Sequence, residues 1–179
     1  MTSDLKWDEN TNYLVKDANR RMIMLKAASK FTRDKQVLKQ IYYSRIRCKL
    51  EQSAAVWSSS LNQRNIADLE RVQKAAVRII NGKPYESYTE TLKVLGIMRL
   101  SERREVICLK FAKNCLMLDN FKRMFPMHIS KHEMRTRHEE KYNLSKSNGK
   151  RYGNSEIPNM LKLLNKQRKE RKERKHEKS

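Results

Sequence analysis

The residues with the clearest chemical potential in this sequence are cations spaced at helical intervals around one aromatic ring. Four-residue steps separate Lys35, Lys39, Tyr43 and Arg47, and this spacing would bring them to one side of an α-helix. Lysine and arginine neutralise phosphates, and a tyrosine ring packs on a sugar or a base. The predicted nucleic-acid-binding residues, including three cations on the preceding helix, are Lys16, Arg20, Lys30, Lys35, Lys39, Tyr43 and Arg47.

The charge balance favours this prediction over an ordinary water-facing helix side. From Lys16 to Lys49 there are eleven basic residues and two acidic ones, and the whole chain has a net charge of +21. A solvated helix face usually mixes signs, because opposite charges four residues apart attract and like charges repel. Such an excess attracts polyanions, with nucleic acid as the first class to consider and an anionic membrane surface as the second.

Patterns for catalysis or metal binding are missing from the sequence. Three histidines, His128, His132 and His138, could suggest zinc, but no Cys-x2-Cys or Cys-x2-4-Cys pair accompanies them. There is no Gly-x4-Gly-Lys-Ser/Thr loop, no Gly-x-Ser-x-Gly elbow and no close carboxylate pair for two Mg²⁺ ions. We therefore expect no catalytic residue, metal, cofactor or small-molecule ligand. The three cysteines should be free thiols, with Cys108 and Cys115 as buried small hydrophobes.

The composition indicates an all-α protein. Only 4 glycines and 3 prolines occur in 179 residues, too few for a turn-rich β-sandwich or a Gly-rich dinucleotide-binding fold. No apolar run approaches the roughly 20 residues that cross a bilayer, and residues 1–6 lack a secretory apolar region. We expect an intracellular protein, nuclear or cytoplasmic, without a membrane partner.

Apolar spacing predicts where the first helices lie. The first helix has one apolar face, formed by Leu14, Ala18, Met22 and Leu25. Asp34 should cap a second helix, whose predicted apolar side is Val37, Leu38, Ile41 and Cys48. Tyr42 and Trp57 adjoin these stripes, so we predict that both anchor the core.

The next helices have clearer boundaries. Asn62 should cap a helix that Gly82 ends, with an apolar face of Ile66, Leu69, Val72, Ala76 and Ile80 and an ion pair between Glu70 and Lys74. Ser87-Tyr-Thr-Glu90 has capping-box spacing and should start a short helix that closes at Gly96. A longer helix is predicted from Ser101.

These elements predict a small irregular bundle of about five helices, with an extended polar C-terminal region and a disordered basic tail. From Lys166 to Ser179, eight basic residues face three acidic ones with no apolar position, which leaves nothing to offset the entropy of ordering. The predicted segments are a junction (1–9), a helical region (10–82), a helical pair packing on it (83–125), a polar extended segment (126–157), a short helix (158–165) and the basic tail (166–179).

Four segments, taken in order, carry a family resemblance. They are Ala54-Ala-Val-Trp57, Leu69-Glu-Arg-Val-Gln-Lys-Ala-Ala76, Arg78-Ile-Ile-Asn-Gly82 and the stretch from Leu95 through Arg103-Arg104. They resemble the region after the polymerase palm in non-LTR retrotransposon reverse transcriptases of the jockey-like type. In that family a Trp-containing segment precedes a Leu-Glu-x-Val-Gln helix and then a Leu-x-x-Leu and Arg-Arg block. The similarity spans about Leu5 to Leu164, and Leu5-Lys-Trp7 looks like the junction just after the palm.

The resemblance implies that residues from about Asn10 to Gly82 correspond to the thumb, which grips the template and primer backbone. The chain has no Tyr-x-Asp-Asp box and no fingers or palm sequence. We therefore expect a non-enzymatic, nucleic-acid-binding C-terminal fragment of an RNA-directed DNA polymerase. Its expected partners are the backbone of RNA or an RNA–DNA duplex and, secondly, the polymerase palm. The alternative is a non-catalytic helical module that docks on a protein through exposed apolar surface.

Overall fold

A computed structural model describes residues 7–83, 87–126, 142–144, 153 and 155–176, with the backbone alone for residues 175 and 176. The α-helices are α1 (Asp8–Phe31), α2 (Lys35–Ile41), α3 (Cys48–Leu50), α4 (Ala54–Trp57), α5 (Gln63–Asn81), α6 (Tyr88–Leu95), α7 (Leu100–Met117), α8 (Asp119–Lys122) and α9 (Glu156–His176). A π-helical segment, Tyr42–Arg47, joins α2 to α3, and a 3-10 turn, Ser58–Ser60, follows α4. The described residues contain no β-strand, so the all-α class is confirmed, with more helices than the five predicted.

The chain divides into two compact units. The first contains residues 1–57 and 61–104, and the second contains residues 58–60 and 105–179. The boundary therefore falls inside α7, whereas the sequence suggested boundaries after residues 82 and 125. In the first unit α6 packs on α5, so this compact unit extends beyond Gly82.

Helix α1 forms the centre of the first unit together with α5. All four predicted core positions of α1, from Leu14 to Leu25, are buried. At the start of α1, the Asp8 carboxylate accepts hydrogen bonds from the side-chain amides of Asn62 (2.9 Å) and Asn65 (2.7 Å), at the start of α5. The two helices begin side by side and pack along their lengths, so they run in the same direction.

The second helix departs from the predicted apolar face because it contains the π-helical segment. Val37 and Cys48 are exposed, and the buried positions are Leu38, Tyr42, Ile46 and Leu50, each four residues apart. An α-helix turns about 100° per residue, so three such steps would drift about 120° off one face. A π-helical turn takes up one extra residue and removes most of this drift. The π-helical segment therefore keeps these four buried side chains on one face although they repeat every four residues.

This explanation predicts the result of a one-residue deletion. Removing the exposed Ser44 changes the spacing of the buried positions to four, three and four, which an ordinary α-helix places on one face. The free energy of unfolding should stay within about 1 kcal/mol of the wild-type value. Insertion of one alanine after Ser44 should instead cost more than about 3 kcal/mol, because it rotates Ile46 and Leu50 out of the core. Urea unfolding of both variants tests this, and a deletion as damaging as the insertion would contradict it.

Helix α5 fixes the rest of the first unit through polar side chains on its buried face. The caps are as predicted: Asn62 accepts from the Asn65 amide at 2.8 Å, and Gly82 ends the helix with a φ of +68°. Glu70 does not pair with Lys74, so that prediction was wrong. The Glu70 carboxylate accepts hydrogen bonds from the Tyr88 hydroxyl (2.7 Å) and the Ser101 amide (3.0 Å), which ties α5 to α6 and to the first turn of α7.

Hydrogen bonds also fix the two ends of α6 and the segment between α6 and α7. Ser87 caps α6 by accepting from the Glu90 amide at 3.2 Å, and Gly96 closes it in the left-handed conformation, with the Ile97 amide donating to the Leu92 carbonyl. Buried Gln73 donates to the Met98 carbonyl at 2.9 Å. These contacts confirm the predicted boundaries of the short helix.

Trp57 and the cysteines match their predictions. Trp57 is buried, and its indole N–H donates to the Gln52 carbonyl at 2.8 Å; Tyr42 is also buried, and burial raises the pKa of its hydroxyl. All three cysteines are free thiols, with Cys108 and Cys115 buried in the second unit.

In the second unit α9 is much longer than the predicted helix of residues 158–165. It begins at Glu156, whose carboxylate accepts from the Ser59 amide at 2.8 Å while burial raises its pKa. Met160, Leu161 and Leu164 anchor its first half. The basic tail, expected to be disordered, continues this helix to His176, because a packed first half removes the cost of nucleation and Lys, Arg, Glu and Gln are good helix formers.

Several predictions concern residues outside the described part of the chain. They include the three histidines from His128 to His138 and most of the polar segment 126–157. Among the helices that are described, none combines the length and apolar character needed to span a bilayer.

Candidate nucleic-acid interface

Three of the predicted site residues lie on the outer side of α1. Lys16, Arg20 and Lys30 are exposed, and none forms an ion pair within the described residues. At 1.5 Å per residue, Lys16 and Lys30 are separated by about 21 Å along the helix axis. This distance corresponds to about six steps of 3.4 Å along one strand of a duplex. Their spacing suits contact with successive parts of one backbone.

The fourth residue, Lys35, lies in a groove at the C-terminal ends of α1 and α5. The groove has a volume of about 830 Å³ and a floor formed by Leu38, Ile79 and Ile80. Its described lining includes four cations and no carboxylate: Arg33, Lys35, Arg78 and Lys83. The side chain of Lys35 donates to the Asn81 amide oxygen at 3.0 Å, which leaves two of its three N–H groups for a ligand. We name this feature the basic groove.

The groove forms because of how the surrounding helices end. Thr32 is extended after α1, and its hydroxyl accepts from the Asp34 amide at 3.1 Å, which turns the chain into α2. At the end of α5, the positive φ of Gly82 turns the chain away from the helix axis, and among the described residues no atom beyond its chain neighbours lies within 4 Å of where a Cβ would stand. The described residues therefore leave the opening between these two turns clear at Gly82.

Helix dipoles alone do not account for the cations of the basic groove. Because α1 and α5 run in the same direction, their two C-terminal ends meet here, each with a partial charge of about −0.5. Cations near such ends are ordinary compensation for the dipoles. Arg33, Lys35 and Lys83 alone carry three positive charges, which exceed the total of about −1, so the groove has a positive surplus that attracts an anion.

Lys39, the fifth predicted residue, is turned away from the solvent. It is only partly exposed, and its ammonium group donates to the Leu95 carbonyl at 3.1 Å, at the C-terminal end of α6. The carbonyls of a last helical turn have no partners within the helix, so Lys39 acts there as a C-terminal cap. In the structure, this hydrogen bond joins α2 to α6.

Tyr43 and Arg47 contact each other across the π-helical segment. The Arg47 guanidinium lies 3.8 Å from the centre of the Tyr43 ring, close enough for a cation–π interaction. Arg47 also lies 3.6 Å from the carboxylate of Glu51. Glu51 in turn accepts two hydrogen bonds of 3.0 Å from Arg103 of α7, which raise the pKa of Arg103. One carboxylate thus neutralises part of two guanidinium groups.

The sequence pattern did not reveal three of the four cations of the basic groove. Arg33 lies in a turn, and Arg78 and Lys83 lie near the end of another helix, so no helical repeat links them to Lys35. The available signals were the turn after Phe31 and the helix end at Asn81-Gly82. Joining them required knowing that α1 and α5 run in the same direction.

Within the described residues, no group of three or more His, Cys, Asp or Glu side chains could hold a metal ion. Comparisons with family models, with curated proteins and with solved structures found no match to this chain.

Proposed function

We propose that this protein binds the phosphate backbone of an RNA or RNA–DNA duplex without reading its sequence. The observation that carries the proposal is the basic groove, where four cations and no carboxylate line an open channel in the described part of the chain. Lys30 lies directly before the groove at the end of α1, and Arg20 and Lys16 continue along the exposed side of the same helix. Phosphates contacted in this way fix position but carry no base information.

The resemblance to jockey-like reverse transcriptases supports the same proposal independently of the basic groove. In that family the corresponding region is the thumb, which grips template and primer. The proposed role is therefore that of a C-terminal fragment of an RNA-directed DNA polymerase that holds the duplex and performs no chemistry itself. With template, primer, Mg²⁺ and nucleotides, this chain should extend no primer.

The salt dependence of binding tests the proposal. If six to ten phosphates are contacted, affinity for an RNA–DNA duplex should fall about 10³ to 10⁵-fold between 50 and 200 mM salt. Fluorescence anisotropy with a labelled duplex measures this directly, and RNA, RNA–DNA and DNA duplexes should be compared in parallel. An affinity that does not change with salt concentration would contradict the proposal.

A second candidate function is supported by apolar side chains on the same helix. Tyr13, Ile23, Met24 and Phe31 of α1 are between 51% and 91% exposed. Exposed apolar residues grouped on a helix indicate a protein-docking face, which a helical interaction module or contact with a polymerase palm would use. Association through these residues should persist in high salt, whereas phosphate contacts should not.

A further inference from the structure

The second half of α9 has an unusual distribution of charge. From Lys166 to His176 the sequence has no apolar residue, and the last buried residue of the helix is Leu164. These eleven residues would extend the helix by about 16 Å beyond its packed half. Cations there outnumber the two carboxylates, Glu170 and Glu173.

Both carboxylates of this segment lie on one side of the helix, and a group of three cations lies on the other side. At about 100° per residue, Arg168, Arg171 and Lys172 fall within an arc of about 100°, and no carboxylate lies within it. Glu170 and Glu173 are centred on the opposite side, where Glu170 lies 3.7 Å from Arg174. The three cations of the first arc are exposed and form no ion pair with described residues. We name these three residues the arm face.

This separation is not needed for the helix to form. Good i,i+4 pairing would intersperse the signs, as Glu170 and Arg174 do, and each such pair is worth only about 0.3 to 0.5 kcal/mol. On the arm face, like charges instead stand next to one another and repel. An anionic ligand removes this repulsion, and no ordering entropy is lost because the segment is already helical.

We propose that residues 166–176 form a second phosphate-binding element, which lies along a nucleic-acid backbone through the arm face. The ligand class rests on the proposed function, whereas the site is a separate one in the second unit. An anionic lipid surface offers the same charge, but a helix that binds lipid needs an apolar side to insert, and this segment has none. The chemistry therefore favours nucleic acid.

Two charge permutations of the full chain provide the test, because both leave composition and net charge unchanged. R171E/E173R puts a carboxylate on the arm face. E170R/R174E exchanges charges on the opposite side and leaves the arm face intact. At 0.1 M salt, the first variant should bind a labelled RNA–DNA duplex about tenfold or more weakly, and the slope of log K against log salt should fall by about 1. The second variant should bind within about twofold of wild type.

Equal binding by the two permuted variants would overturn the proposal, because net charge alone would then account for the effect. Circular dichroism checks that α9 remains helical. If R171E/E173R unfolds it, R168Q/R171Q/K172Q replaces that variant, with K166Q/K169Q/R174Q as its matched control. A loss seen only on phosphatidylserine vesicles, with duplex binding intact, would also overturn it. Substitutions in the basic groove, measured in the same series, distinguish failure of this arm from failure of the proposed site in the first unit.

Discussion

Replacing Arg33, Lys35 and Lys83 with glutamine should weaken binding to an RNA–DNA duplex by about 10² to 10³-fold at 0.1 M salt. These cations line the basic groove together with Arg78, and each phosphate contact is worth a factor of about 8 at this salt concentration relative to 1 M. The slope of log K against log salt should fall by about 2.7, since each lost contact removes about 0.9. Titration at four or more salt concentrations gives both quantities.

A matched control separates the groove from general electrostatics. Arg64, Lys93 and Lys110 are exposed, and none of them lines the basic groove or belongs to the predicted nucleic-acid-binding residues. Replacing these three with glutamine removes the same charge from the chain. We expect this control to lose less than about tenfold, because exposed charges that make no direct phosphate contact are screened by salt. Equal losses in the two variants would show that the basic groove has no special role.

The groove variant should also keep the fold, which makes its result interpretable. Arg33 and Lys83 are exposed, and the bond from Lys35 to Asn81 joins two exposed side chains. Such surface contacts contribute about 0.5 kcal/mol or less. A variant at Lys35, Lys39 and Arg47, three of the residues predicted from the sequence, is less suitable as a test set, since Lys39 caps α6 at the Leu95 carbonyl. Loss of helical signal in that set would reflect this structural contact.

Local signals in the sequence were sufficient for the caps of α2, α5 and α6 and for the α1 core. The caps at Asp34, Asn62 and Ser87 depend on contacts within three residues, so their residue types predict them directly. The stripe from Leu14 to Leu25 matches the α-helical period and is buried as expected. Predictions of this kind succeed because the interaction that decides them is local.

Predictions failed where a distant contact or an altered helical period decided the outcome. Glu70 has a lysine four residues later, yet its carboxylate binds the Tyr88 hydroxyl and the Ser101 amide, which lie 18 and 31 residues away. The apolar face of α2 was misplaced because the π-helical segment changes the rotation per residue. The same limit applies to the candidate site, since Arg78 and Lys83 join Arg33 and Lys35 only through tertiary packing.

Replacing Glu51 with glutamine should change stability and binding in opposite directions. Glu51 accepts two charge-assisted hydrogen bonds from Arg103 and lies 3.6 Å from Arg47, with 13% of its own side chain exposed. Loss of this carboxylate should lower the free energy of unfolding by about 2 kcal/mol, as expected for bonds to a charged group. Thermal unfolding followed by circular dichroism measures this loss.

The same substitution releases Arg47, which stays stacked on Tyr43 and faces no other carboxylate among the described residues. If Arg47 contacts a phosphate, duplex affinity should rise about tenfold and the slope of log K against log salt should steepen by about 1. Asp17→Asn is the matched control, because it also removes one carboxylate from an ion pair. Its partner, Arg21, is not one of the predicted nucleic-acid-binding residues, so this substitution should raise affinity much less. A less stable Glu51→Gln protein with unchanged affinity would instead assign Arg47, like Arg103, to holding the first unit together. The proposed interface would then consist of the basic groove and the outer side of α1.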